Sequence, residues 1–259
     1  MKPVATAGTS ALTAENLSRL SSQKIFFGHQ SVGDDIVHGL REWMASEPRL
    51  KLRIVESSNP HLVDGPAFIE CHLGCNGDPR SKADAFAAVI DKGFGRLGGI
   101  AMYKYCYVDV GASTDISQMF ETYSRGVDTL RAKYPSLSIV HVTIPLTTVE
   151  PVFKSWSRKL LGRVTASYLN SKRNEFNQRL LEAYSRMDPV FDLAEVESNP
   201  GNGFESHTIQ RSRRQPALAP ELTTDGGHLN QTGRRVAAEH MLLALARVTN
   251  SCSSYENGM

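Results

Sequence analysis

The stretch Lys24-Ile25-Phe26-Phe27-Gly28-His29-Gln30-Ser31-Val32-Gly33-Asp34-Asp35 decides how the rest of the chain is read. Four residues of strand character, Ile25 to Gly28, lead through His29 and Gln30 into a serine, and two acids follow at the start of an amphipathic segment. Ile36, Leu40, Trp43 and Met44 share one stripe of that segment at helical spacing, and Pro48 closes it. Asp34 and Asp35 then occupy the first helical turn, where the helix dipole favours carboxylates. A serine at such a junction lies beside backbone N–H groups that have no intrahelical partner and can face a developing negative charge.

Outward from this stretch, short apolar runs alternate with longer segments of helical period. Residues 52–56 read as a second strand. Residues 57–81 read as a loop, with Pro60, Pro66 and Pro79 and glycines at 65, 74 and 77; a connection of that length points to function. A helix is expected over 82–92, ended by Gly93 and Gly95, then a strand over 98–108 that is apolar except for Lys104. Ile116, Met119, Phe120, Tyr123, Val127 and Leu130 make the stripe of a helix over 115–134, stopped by Pro135. Residues 137–144 form a β-branched strand ended by Pro145. Residues 147–169 read as an irregular insertion with a helical piece, followed by a helix over 171–187, a last strand over 190–193, a loop over 199–223 and a final helix over 230–249.

This repeated alternation predicts an α/β protein of three layers, α/β/α, with a five-stranded parallel sheet and helices on both faces. One domain is expected over residues 1–259, with 1–22 a loose lead-in and 250–259 a flexible tail. In such sheets ligands bind beyond the carboxyl ends of the strands. Ser31, Asn76-Gly77, Tyr107 to Asp109 and Asp225 to His228 all follow strands and fall at that edge.

Composition narrows the partners. The chain has 259 residues, a formal net charge of +2, 41% hydrophobic and 22% charged residues, which suits an ordinary globular core and gives no reason to expect nucleic acid or an anionic membrane. The basic run Arg211-Ser212-Arg213-Arg214 reads as a solvated face. No apolar run is long enough to cross a bilayer. The first twenty residues lack the apolar core of a signal peptide, which leaves a cytoplasmic protein or the mature part of an exported one. Cys71-His72-Leu73-Gly74-Cys75 lacks a fourth ligand for zinc, and no metal or cofactor is expected. Cys71 and Cys75 could pair in an oxidising compartment, with free thiols favoured in the cytosol; Cys106 reads as a small buried hydrophobe.

The second chemical stretch is Asp225-Gly226-Gly227-His228-Leu229-Asn230. A serine hydroxyl needs a base to take its proton, and the imidazole needs an acceptor to fix its tautomer and stabilise its charged form. Asp225 and His228 at this spacing can present carboxylate and ring on one side. Each signal alone has an ordinary structural explanation, since a serine before a helix is usually an N-cap and an Asp-x-x-His usually a surface turn. Their joint placement, after the first strand and just before the last helix, is what argues for chemistry.

On these residues the chain resembles the SGNH (GDSL-type) hydrolase superfamily. DGGHLNQTGRRVAAEHML, from Asp225, is similar to the final block of that family, and FNQRLLEAYSRMDPVFDLAEVES resembles the region leading into its last strand. The resemblance implies a flavodoxin-like fold and an ester hydrolase with Ser31 as nucleophile, His228 as general base and Asp225 as its orienting acid. It also implies an oxyanion hole made of the nucleophile's own N–H, a glycine N–H and an asparagine side chain. Gly77 is the expected glycine, with Gly74 second. The first block departs from Gly-Asp-Ser, reading Gly28-His29-Gln30-Ser31, and the third block, MYKYCYVDV, has no Gly-x-Asn-Asp. Asn76, Lys104 or Tyr107 are the candidates to replace the absent asparagine. His29 is either a supporting or substrate-contacting residue or a packed structural one, and Asp109 is the nearest acid to partner Lys104. A small-molecule or carbohydrate ester is the expected substrate. A carbohydrate O-acyltransferase using the same triad and a non-catalytic glycan-binding member of the fold are the competing readings.

Overall fold

The computed structural model describes residues 12–149, 164–200, 206–210 and 213–256. Its centre is a six-stranded parallel sheet in the order β2-β3-β1-β4-β5-β6. The strands are β1 (Lys24–His29), β2 (Ile54–Glu56), β3 (Ala67–His72), β4 (Gly99–Tyr103), β5 (Leu137–Val142) and β6 (Val190–Phe191). Alternate side chains feed two apolar layers. Ile25, Phe27, Phe68, Ile100, Met102 and Val140 enter one, while Phe26, Ala67, Ile69, Ala101, Tyr103 and Ile139 enter the other. Each fully buried Phe, Leu or Ile contributes about 1.5–3 kcal/mol.

The helices are α1 (Ala14–Ser21), α2 (Val32–Ser46), α3 (Pro79–Val89), α4 (Ile116–Lys133), α5 (Ala166–Tyr184), α6 (Leu193–Ser198) and α7 (Gln231–Glu256). Helices α1, α2 and α7 supply the first apolar layer, with Leu17, Ile36, Leu40, Trp43, Met241 and Leu245. Helices α3, α4 and α5 supply the second, with Phe86, Tyr123, Leu130, Phe176 and Leu180. The α2–α7 contact is especially close, because a Cβ at Gly39 would lie 2.1 Å from the carbonyl oxygen of Arg234.

The α/β/α class holds, with one strand more than expected. Strand β3 lies inside the stretch read as a loop over 57–81 and sits between β1 and β2, so the loop carrying Asn76 and Gly77 follows the third strand, not the second. The lead-in is also more ordered than expected, since Thr13 caps α1 through a reciprocal box with Asn16. The last helix continues to Glu256, into the segment expected to be a tail. Strand β4 stops at Tyr103, and Tyr107–Asp109 forms a 3₁₀ turn. The expected loop over 199–223 contains an antiparallel hairpin, β7 (His207–Gln210) with β8 (Arg213–Pro216). Most of the expected insertion over 147–169 lies outside the described residues. Cys71, Cys75 and Cys106 are free thiols.

Candidate active site

Ser31 occupies the position between β1 and α2, with φ 53 and ψ −106, the only described non-glycine residue with positive φ. Such a conformation costs about 1–3 kcal/mol and persists only where the surroundings enforce it. Although it precedes a helix, Ser31 makes no side-chain capping bond. Its Oγ instead lies 2.7 Å from His228 Nε2. The ordinary N-cap explanation therefore does not describe this serine.

The far side of the imidazole is held by Asp225, whose Oδ2 lies 2.6 Å from His228 Nδ1. The other carboxylate oxygen accepts the backbone N–H groups of Gly227 and His228 at 2.9 and 2.8 Å. The His228 ring and these two N–H groups hold the Asp225 carboxyl well below the usual carboxylate range. It does not cap α7; Asn230 does, accepting from Gly233 N at 3.1 Å. Thr223 Oγ1 donates to the His228 carbonyl at 2.6 Å, and Thr148 N donates to the Gly226 carbonyl at 2.9 Å, fixing the loop from both sides. The His228 and Asp225 side chains are 43% and 54% exposed, so the site opens to solvent.

Asp35 brings these distant segments together. Its Oδ2 accepts from Leu229 N at 3.0 Å, and its Oδ1 accepts from Arg234 at 2.9 Å (Nε) and 2.7 Å (Nη2). One carboxylate on the helix after Ser31 thus grips both the residue after His228 and the first turns of α7. Sequence reading assigned Asp35 to the helix dipole and missed this grip.

The neighbouring loops hold the other candidates. Among the described residues no acceptor faces the N–H of Ser31 or of Gly74. Gly74 has φ 59, and a Cβ there would meet Lys82 N at 2.6 Å. The Gln30 side chain donates to the Gly74 carbonyl at 2.9 Å, tying this loop to the residue before Ser31. Gly77, the glycine favoured from sequence, donates its N–H to Asp109 Oδ1 at 2.8 Å and so has it committed within the protein. Asn76 Oδ1 accepts from Lys82 Nζ at 3.0 Å, leaving its amide N–H groups without a described acceptor.

Asp109 attracts Lys104 without forming a direct ion pair with it. It pairs with Lys82, Nζ to Oδ2 at 2.6 Å, with side chains 1% and 0% exposed, and it also accepts from Cys106 N at 2.6 Å. This buried pair joins α3 to the turn after β4. Lys82 shares its helix face with Phe86 and Ile90, which is the sequence signal that it is buried. The Lys104 ammonium lies inside the protein, 3.5 Å from Cys106 Sγ, and burial lowers its pKa. Tyr107 sets its ring 6.0 Å from the His228 ring, with its hydroxyl against Gly227, and burial raises the phenol's pKa. His29 is wholly buried under α2 and meets Glu70 Oε2 through Nε2 at 3.1 Å.

The sheet order with helices on both faces matches the SGNH (GDSL-type) hydrolase fold. Among solved structures the chain is similar to a candidate GDSL-like lipase from Parabacteroides merdae, with TM-score 0.51 and 11% identity over 86% of this chain and 95% of that one. It is also similar to a carbohydrate esterase family 3 protein from Talaromyces cellulolyticus, with TM-score 0.50 and 12% identity over 88% and 97%. A lipase/acylhydrolase from Enterococcus faecalis aligns with TM-score 0.48 and 13% identity over 87% and 96%. No protein-family model and no curated protein matches the sequence.

Proposed function

We propose that the protein is a serine ester hydrolase that removes a small acyl group, such as acetyl, from a carbohydrate or other alcohol through an acyl-enzyme on Ser31. The observation that carries this reading is the continuous relay Ser31 Oγ–His228 Nε2 and His228 Nδ1–Asp225 Oδ2, at 2.7 and 2.6 Å. In the first half-reaction His228 takes the hydroxyl proton as Oγ attacks the ester carbonyl, and Asp225 stabilises the imidazolium. The tetrahedral oxyanion is met by the N–H groups of Ser31 and Gly74, with the Asn76 amide or the Tyr107 hydroxyl as third donor. Collapse expels the alcohol, which leaves with the proton from His228. Water, deprotonated by His228, then cleaves the acyl-serine, and Ser31 recovers its proton as the acid departs. The open setting of His228 and Asp225 suits a short acyl group on a bulky alcohol.

The test is hydrolysis of a short aryl acetate together with labelling of Ser31 by a fluorophosphonate probe. Ser31→Ala is expected to abolish labelling and lower kcat by a factor of about a thousand or more. Unchanged hydrolysis in Ser31→Ala overturns the assignment. Product analysis with sugar acceptors separates hydrolysis from acyl transfer.

A further inference from the structure

A separate group of side chains lies beneath the helix that follows Ser31. His29 and His72 are register partners on β1 and β3, so both rings project from the same face of the sheet. Asp34, from the first turn of α2, covers them. The ligand atoms His29 Nδ1, Asp34 Oδ1 and His72 Nε2 all lie within 4.8 Å of one another. His72 Nε2 lies 2.8 Å from Asp34 Oδ1, and His29 Nδ1 lies 3.8 Å from the same oxygen.

His29 points to a cation. Its side chain is 0% exposed, and its Nδ1 has no hydrogen-bond partner. Glu70 Oε1 accepts from Arg41 at 3.3 Å, and its Oε2 takes the His29 Nε2–H at 3.1 Å. With the Nε2–H directed at Glu70 and no hydrogen-bond partner at Nδ1, the Nδ1 lone pair is left to face the cluster. That lone pair faces a carboxylate at a distance too long for a hydrogen bond. A carboxylate behind a histidine is the arrangement that orients metal-ligating imidazoles and raises their basicity. The ring reaches this position because residue 33 is glycine; a Cβ there would lie 2.3 Å from the His29 side chain.

We propose that His29 Nδ1, Asp34 Oδ1 and His72 Nε2 bind a divalent transition-metal ion, of which Zn²⁺ is the best match to two imidazoles and one carboxylate. Ligand atoms on a tetrahedral zinc stand about 3.3 Å apart at ordinary bond lengths. The 2.8 and 3.8 Å separations bracket that value and need only small side-chain rotations. Binding replaces the His72–Asp34 hydrogen bond by two metal bonds, with the His72 proton held on Nδ1. The fourth position opens to solvent, since the His72 and Asp34 side chains are 58% and 46% exposed. The ion would join β1, β3 and the first turn of α2.

Zinc titration of the chelator-stripped, full-length protein against a chromophoric competitor tests this directly. One equivalent should bind and raise the melting temperature by several degrees, and Co²⁺ in its place should give the visible absorption of a tetrahedral N/O site. His72→Ala and Asp34→Ala, both at partly exposed positions, should each weaken binding by about a hundredfold or more while leaving the circular dichroism spectrum unchanged. No stoichiometric zinc would mean that a water meets His29 Nδ1 and would overturn the proposal. Equal affinity in His72→Ala would place the ion elsewhere, with the same consequence.

Discussion

Replacing Asp35 by asparagine tests whether the distance between Ser31 and His228 is set by α2. The wild-type Asp35 side chain is 8% exposed and serves Leu229 N on one oxygen and the Arg234 guanidinium on the other. An asparagine has one acceptor oxygen. If it turns that oxygen to Leu229, its NH₂ meets the guanidinium donors; if it turns to Arg234, the Leu229 N–H is left unsatisfied. A buried donor left unpaired costs about 1–3 kcal/mol, and losing a hydrogen bond to a charged group about 1.5–3 kcal/mol. The Arg234 side chain is 34% exposed, so its share is screened and counts at the low end. The expected loss is about 2–4 kcal/mol, measured by urea denaturation as a lower midpoint with unchanged slope. Leu229 adjoins His228, and misplacement of a catalytic group by about 1 Å can cost about a hundredfold. Fluorophosphonate labelling of Ser31, followed well below the variant's melting temperature, should therefore slow by about ten- to a hundredfold. Destabilisation under about 0.5 kcal/mol with an unchanged labelling rate would refute the reasoning.

Two other buried groups give further tests. Lys82→Met leaves the Asp109 carboxylate buried beside two backbone N–H groups, and breaking one half of such a pair costs about 3–5 kcal/mol. Adding Asp109→Asn removes the stranded charge, although its NH₂ then faces one of the two N–H groups, and should recover part of the lost stability in thermal denaturation; a double variant no better than Lys82→Met would count against the pairing. Glu197 is buried, and its carboxyl is pushed up from 4.5 to about 8, chiefly by desolvation. Folded chain therefore holds a proton that unfolded chain has released between these values, so stability falls as pH rises across that window, by at most about 1.4 kcal/mol per unit. Glu197→Gln keeps an acceptor for Leu146 N and removes this dependence, so its melting temperature should gain on the wild type from pH 5 to pH 8 and no further above. A difference independent of pH would refute the shift.

Sequence patterns revealed some of these features far better than others. The strand-to-helix serine and the Asp-x-x-His loop are local signals, and the fold brings both to one edge. Strand β3 was hidden because Pro66 precedes it and Cys71-His72 resembles part of a metal motif, while its partners β1 and β2 come from elsewhere in the chain. Without β3, the cross-strand pairing of His29 with His72 and the Glu70 partner of His29 could not be read. Sequence reading prefers Gly77 to Gly74; the Asp109 carboxylate that commits the Gly77 N–H is reached only through folding. Asp35 looks like an ordinary first-turn helix charge until its neighbours are known.

The backbone of Ser31 connects these observations physically. A non-glycine residue with φ 53 relaxes unless its flanks are held. On one flank, Gln30 donates to the Leu73 and Gly74 carbonyls at 3.4 and 2.9 Å, which anchors the approach from β1. On the other, Asp34 N and Asp35 N both return to the Ser31 carbonyl, at 2.8 and 3.4 Å, while their side chains reach His72 on one side and Leu229 with Arg234 on the other. Gly33 and Gly39 let His29 and the backbone of α7 approach where any Cβ would collide. The first turn of α2 is therefore clamped by β3 through Asp34 and by α7 through Asp35. These opposed attachments supply the restraint that an uncapped serine in a strained conformation requires, and the same attachments direct its hydroxyl to His228.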